Sequence, residues 1–286
     1  MNLGYIDYLN CYPFYHHMFE YEPVSGVRIV PGYPSELNRM IQERSLDVSP
    51  ISAAAYAGLE DELVLIPEFC LSSIGYVRSV VLVSRMPIED LQGRVIGLSS
   101  ASKTSVVLLK ILLQRFYGID AVYVPSGTSP SLDREGYDAA LIIGNEAMRQ
   151  LRDPYVYDLG DLWLRKTGYP VVFAVFAIRS EIIETHEKEI LEVVASYRRS
   201  LDCLRTDRTG LIQKARERYP LVSWDIDAYY RLLQFRFTPG LREGLGYYLA
   251  VAGEMGFLPE TRVIRYAAYV DTEGGVEDRL DAGARL

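Results

Sequence analysis

The sequence predicts an α/β protein of two lobes, each a mostly parallel sheet wrapped by helices. Three observations carry this. Strand-like and helix-like apolar runs alternate through the first 178 residues, the pattern of a sheet covered by crossover helices. The chain has 286 residues, too many for one small domain and suited to two lobes of ~100 to 200 residues. Beyond residue 185 only helical patterns follow, as in a tail that packs back on the first lobe.

An apolar strand opens the chain and stops at Asn10, with Pro13 turning the backbone after it. A polar side chain thus ends a strand, where open α/β sheets keep their ligands. Residues 27–30 read as a strand, 34–43 as a helix opened by Pro34, and 46–51 as a strand ending at Ser52, a hydroxyl cap for the helix start AAAYAG. The run 79–84 (SVVLVS) is apolar enough for a buried strand, and 94–98 follow a loop at Pro87 and Gly93. SSASKTS over 99–105 leads into an apolar helix ending before Gly118. Residues 121–124 and 137–143 read as strands, the second running into Gly144, Asn145 and a short helix, and 170–178 as a long buried strand. Helices are expected over 186–205, 209–218, 225–234 and 239–255. The strands at 80–83 and 172–175 are expected to pair as crossings between lobes. That gives a discontinuous first lobe of residues 1–83 plus 175–286 and an inserted second lobe of 84–174. The closing GGVEDRLDAGARL is expected to fray.

Composition removes several function classes. With 30 basic against 38 acidic residues, a net charge of -8, the chain lacks the dense basic face that nucleic acid requires. A small anion can still be held locally. No apolar run approaches the ~20 residues that cross a bilayer, and no basic n-region and apolar h-region precede the first strand, so the cytoplasm is the expected compartment. Cys11, Cys70 and Cys203 are odd in number and widely spaced, which suits free thiols rather than disulfides or a zinc site. Nothing near Cys11 in the sequence activates it as a nucleophile.

SSASKTS is the clearest local device. With Ser102 as N-cap, the N–H groups of Lys103, Thr104 and Ser105 are free at a helix start, beside hydroxyls and one ammonium. Such an end binds carboxylate or phosphate; an ordinary capped helix accounts for the same residues. It is no phosphate loop, since no glycine pair precedes Lys103, and no G-x-G-x-x-G follows a strand. His16 and His17 are adjacent, share no helix face and have no carboxylate-rich metal motif beside them, so packing or surface roles fit better. Ser79 lacks a G-x-S-x-G elbow, which leaves a hydrolase triad unsupported; a satisfied strand-end hydroxyl is its plain reading. Of 22 tyrosines, Tyr5, Tyr8, Tyr12 and Tyr15 fall in the first segment, where core packing with a hydrogen-bonded tip explains most of them. The residues alone thus give a two-lobe protein with an anion-friendly cleft and no visible catalytic engine.

Six ordered segments, YLNCYPF, LDVSPIS, GYVRSVVLVS, SSASKTSVVLL, AALIIGNEA and DLGDLWLRKTGYPVVFAVF, resemble the chorismate dehydratases of the futalosine route to menaquinone, the MqnA family. The resemblance covers about residues 3–257. It implies the two-lobe fold of type II periplasmic binding proteins and the conversion of chorismate to 3-[(1-carboxyvinyl)oxy]benzoate with no metal or organic cofactor. The sister 1,4-dihydroxy-6-naphthoate synthase shares the fold, but its N-terminal motif resembles SPCPNDT rather than YLNCYPF. A cytoplasmic solute-binding protein that uses the cleft without turnover is the alternative from another class.

Carried over residue by residue, the resemblance puts the reacting centre at Asn10 and Ser79. It places a substrate carboxylate at Ser102, Thr104 and Ser105, with Ser52 and Gly144 bordering the cleft. One departure stands out: Asn145 occupies the position after that glycine where the family often has aspartate, so a role needing negative charge there does not carry over. Asn10 and Ser79 are poor bases but competent hydrogen-bond donors. Losing a ring proton and a hydroxyl makes chorismate's ring aromatic, so positioning can supply much of the rate. On this hypothesis the substrate's own enolpyruvyl carboxylate is the base.

Overall fold

The computed structural model describes residues 1–149 and 151–268; the closing GGVEDRLDAGARL lies outside them. The first part of the chain forms β1 (Asn2–Ile6), α1 (Tyr12–Glu20), β2 (Arg28–Gly32), α2 (Pro34–Gln42), β3 (Val48–Ser52), α3 (Ala53–Tyr56) and β4 (Leu63–Ser73). There follow β5 (Val80–Ser84), β6 (Val95–Leu98), α4 (Lys103–Ile111), β7 (Val122–Pro125), α5 (Leu132–Glu135), β8 (Ala139–Ile143), β9 (Tyr155–Asp158) and α6 (Leu159–Thr167). The last part is β10 (Val171–Arg179), α7 (Glu187–Thr206), α8 (Arg208–Arg218), α9 (Ile226–Leu232), β11 (Leu233–Arg236) and α10 (Pro239–Glu254).

The strands make two sheets, one ordered β11-β4-β10-β3-β1-β2 and the other β7-β6-β8-β5-β9. Both are mixed rather than mostly parallel. β2, β1 and β3 run parallel, as do β7, β6 and β8, while β10, β4, β11, β5 and β9 pair antiparallel. The cause lies in the path of the chain. It leaves the first sheet on β4 and returns to it on β10, and these two strands are neighbours, so one must run against the other.

The strands read as paired crossings do not pair with each other. β5 lies whole in the second sheet between β8 and β9, and β10 lies whole in the first between β3 and β4. The chain changes sheets at residues 74–79 and 168–170, outside both strands, so boundaries at 83/84 and 174/175 would cut each strand in two. The unread partner is β4. Pro67 and Glu68 interrupt its apolar run, and the register against β10 shifts between Val175 and Ala177, opposite that interruption; proline tolerates such a bulge. The helix expected over 225–234 ends at Leu232 because Leu233, Phe235 and Phe237 are buried in alternation, a strand period, and β11 adds an antiparallel edge to β4.

One apolar core joins the halves. Phe14 packs on Phe176 with ring centroids 4.5 Å apart, and Phe69 and Tyr197 complete the cluster. Burying each such ring contributes about 2 kcal/mol or more. α1, which the sequence left as a turn, carries Phe14 and is pinned at Tyr15, whose Oη donates to Gly4 O at 2.5 Å and accepts from Tyr197 Oη at 2.7 Å. The turn between β1 and α1 is thereby fixed from below. No helix among the described residues is long and apolar enough to cross a membrane.

Candidate active site

The β1–α1 turn presents Asn10 at the carboxyl end of β1. The preceding residue is held on both sides: Leu9 N–H donates to Asn145 Oδ1 at 2.9 Å, and Leu9 O accepts from Tyr230 Oη at 3.0 Å. With its neighbour fixed, Asn10 keeps its side chain at the wall of a cavity, and its Oδ1 is buried without a hydrogen-bond partner among the described residues.

Ser79 reaches the same wall from the segment that crosses between sheets. Asp158, the N-cap of α6, accepts from Val77 N–H at 3.1 Å and Arg78 N–H at 2.6 Å, as well as Asp161 N–H at 3.1 Å. Burial raises this carboxyl and the N–H groups oppose that shift. Arg78 has φ +69°, a left-handed conformation that a non-glycine residue adopts only when its surroundings impose it. Ser79 follows directly: its carbonyl accepts from Gly144 N–H at 2.8 Å and its hydroxyl from Tyr229 Oη at 2.8 Å. Burial pushes the Tyr229 phenol above the usual range.

Ser102, Ser105 and Ser52 line the cavity as well. Ser102 caps α4, accepting from Ser105 N–H at 3.4 Å and Ser105 Oγ at 3.2 Å. Ser52 does not cap α3 with its side chain; Asn38 clamps it instead, donating to Oγ at 3.1 Å and accepting from its N–H at 2.9 Å. Gly144 has φ +65°, and a Cβ there would lie 2.5 Å from Cζ of Tyr8, so the Tyr8 ring closes over this glycine. Ser72 joins the lining from β4.

Two residues expected at the site lie elsewhere. Thr104 is fully buried behind the wall, its Oγ1 donating to Phe173 O at 2.9 Å and accepting from Ala54 N–H at 3.1 Å. Its hydroxyl is spent bracing α4 against β10 and α3. Asn145 faces an outer cleft with Asp7, Tyr33, Glu36, Glu146 and Arg218. Tyr8 borders both spaces, its hydroxyl buried and unpartnered among the described residues. Cys11 is buried and its thiol pushed up by burial, which makes it inert. His16 packs against Tyr12, and burial lowers it. Tyr229 carried no sequence signal, lying 150 residues from Ser79 in the helical tail.

Nothing that lines the inner cavity is an acid, a base or a thiol that titrates near neutrality. Serine hydroxyls, one amide and a phenol surround it, with the first turn of α4 adding N–H donors. Among the described residues no group of three or more His, Cys, Asp or Glu side chains could hold a metal ion.

Two mixed sheets around such a cavity define a protein of the periplasmic-binding-protein fold. The periplasmic aliphatic sulphonate binding protein of Escherichia coli superposes with a TM-score of 0.64 at 14% identity, covering 99% of this chain and 98% of that one. The chain belongs to the menaquinone-biosynthesis family, whose model matches residues 1–254. It is 30% identical to the chorismate dehydratase of Thermus thermophilus over 205 residues, 63% of this chain and 70% of that protein. It is 27% identical to the 1,4-dihydroxy-6-naphtoate synthase of the same organism over 150 residues, 52% of this chain and 54% of that one.

Proposed function

We propose that the chain dehydrates chorismate to 3-[(1-carboxyvinyl)oxy]benzoate, a carbon–oxygen lyase reaction of the futalosine route, in the cytoplasm. The observation that carries this reading is the inner cavity's wall, apolar in most of its lining but set with serine hydroxyls, one amide and a phenol, and holding nothing that titrates near neutrality. Most eliminations need a protein base; one that ends in a benzene ring and whose substrate brings a carboxylate near the departing proton needs alignment above all. The similarity to a chorismate dehydratase supports the same choice.

In this reading the strands of the first sheet with α7 to α10 form one lobe, the second sheet forms an inserted lobe, and the cavity between them is the active site. Ser102, Ser105 and the first turn of α4 hold one substrate carboxylate through hydroxyls and the helix dipole. Asn10 and Ser79 meet the reacting end. The enolpyruvyl carboxylate takes the ring proton, the ring hydroxyl leaves, and together they make one water. Hydrogen bonds to the departing oxygen stabilise its charge in a site closed to solvent.

The test is incubation of the purified protein with chorismate, followed by ultraviolet absorbance and mass spectrometry. A product lighter by one water, absent after heat treatment, is expected. Chorismate bound and recovered unchanged would favour a binding protein. No binding at all, with turnover of the larger futalosine-derived substrate, would favour the naphthoate synthase reading, for which the 27% identity speaks.

A further inference from the structure

The hydrogen bonds behind the cavity wall have a direction. Tyr229 is fully buried, and its single hydroxyl hydrogen is donated to Ser79 Oγ at 2.8 Å. Ser79 Oγ is then occupied as an acceptor, and its own hydrogen has no acceptor there. Ser79 is 2% exposed and lines the cavity, so the open direction for that hydrogen is toward a ligand. On the other side, Asn10 also lines the cavity, and its Oδ1, buried and without a partner among the described residues, is an acceptor at the wall.

We infer that Tyr229 is a positioning residue that orients Ser79, so that the serine hydroxyl presents a donor to the substrate. A hydroxyl left to itself could present either a donor or an acceptor. The tandem residue Tyr230 secures the backbone beside Asn10 through Leu9 O, so α9 reaches the wall at both residues. Asp225 starts this short helix, accepting from Asp227 N–H at 2.8 Å and Ala228 N–H at 3.1 Å. As a statement about catalysis the inference rests on the dehydratase reading; as a statement about orientation it does not.

Steady-state kinetics on chorismate for wild type, Tyr229→Phe, Ser79→Ala and the double variant test it. Tyr229→Phe is expected to lower kcat roughly 10- to 100-fold and to move KM by less than about 3-fold. Because Tyr229 acts through Ser79, the double variant is expected to be no slower than Ser79→Ala. Replacing Tyr229 by p-aminophenylalanine, which keeps a donor in the same place, is expected to restore most of kcat and stands in should Tyr229→Phe fold poorly. Wild-type kcat in Tyr229→Phe, or losses that multiply in the double variant, would overturn the proposal. If the wild-type protein does not turn over chorismate, the dehydratase reading falls separately. A crystal structure of Tyr229→Phe then decides: a rotated Ser79 side chain supports the positioning role, and an unmoved one refutes it.

Discussion

Tyr229 Oη and Ser79 Oγ lie 2.8 Å apart although 150 residues separate them in the chain. One belongs to the helical tail beside the first sheet, the other to the segment entering the second. Their contact ties the helical tail to the wall of the inner cavity.

Asn10→Asp places a carboxylate where an amide now lines the inner cavity, and in the dehydratase reading it would meet a substrate carrying two carboxylates. The substitution nearly preserves size, and the expected outcome is a kcat/KM lower by about 100-fold or more with the melting temperature little changed. Turnover at the wild-type rate would remove Asn10 from the reaction.

Gly144→Ala strains the backbone at φ +65° and drives a methyl group against the Tyr8 ring. A loss of about 1–3 kcal/mol is expected, together with weaker substrate binding as Tyr8 is displaced. Denaturant unfolding measures the first and KM the second.

Thr104→Val and Ser105→Ala separate brace from lining. Removing the Thr104 hydroxyl orphans Phe173 O and Ala54 N–H, at an expected cost of about 1–3 kcal/mol with KM nearly unchanged. Ser105→Ala is expected to raise KM severalfold and to leave stability near wild type. The opposite pairing would put Thr104 in contact with substrate.

Stability is expected to fall steeply in alkali. Burial raises the phenols of Tyr5, Tyr8, Tyr15, Tyr197, Tyr229, Tyr230 and Tyr248, and holds Tyr56 and Tyr266 at about 12. Each is neutral when folded and ionises near pH 10 when unfolded, so its contribution is intact below that value and is lost as pH rises. Each phenol still protonated in the fold adds a slope of about 1.4 kcal/mol per pH unit. Tyrosinate absorbance from these nine phenols and circular dichroism are expected to change together; ionisation of these nine in a protein that is still folded would contradict this burial.

The N-cap at Ser102 and the strand ends at Ser52 and Gly144 were legible because capping and strand-end chemistry are local, whereas β1 stops at Ile6 and Asn10 lies in the turn beyond it. Thr104 was misread for a local reason as well. Hydroxyl density says nothing about direction, whereas helix geometry puts Ser102 and Ser105 on one face and Thr104 about 100° from Ser105. β4 and α1 were missed where proline interrupts or opens them. The mixed character of the sheets, the Tyr229 contact and the clamp of Asn38 on Ser52 arise from pairings between distant segments, which no window of sequence contains.

Leu9 donates its N–H to Asn145, two residues past the end of β8 in the other sheet. Hydrogen exchange at that one amide therefore counts separations of the two halves, since the bond breaks whenever they part while the paired amides of each sheet stay protected. In the two-lobe dehydratase reading this amide is a clock for cleft opening, and comparing the rate at Leu9 with and without chorismate would time how long the substrate stays enclosed.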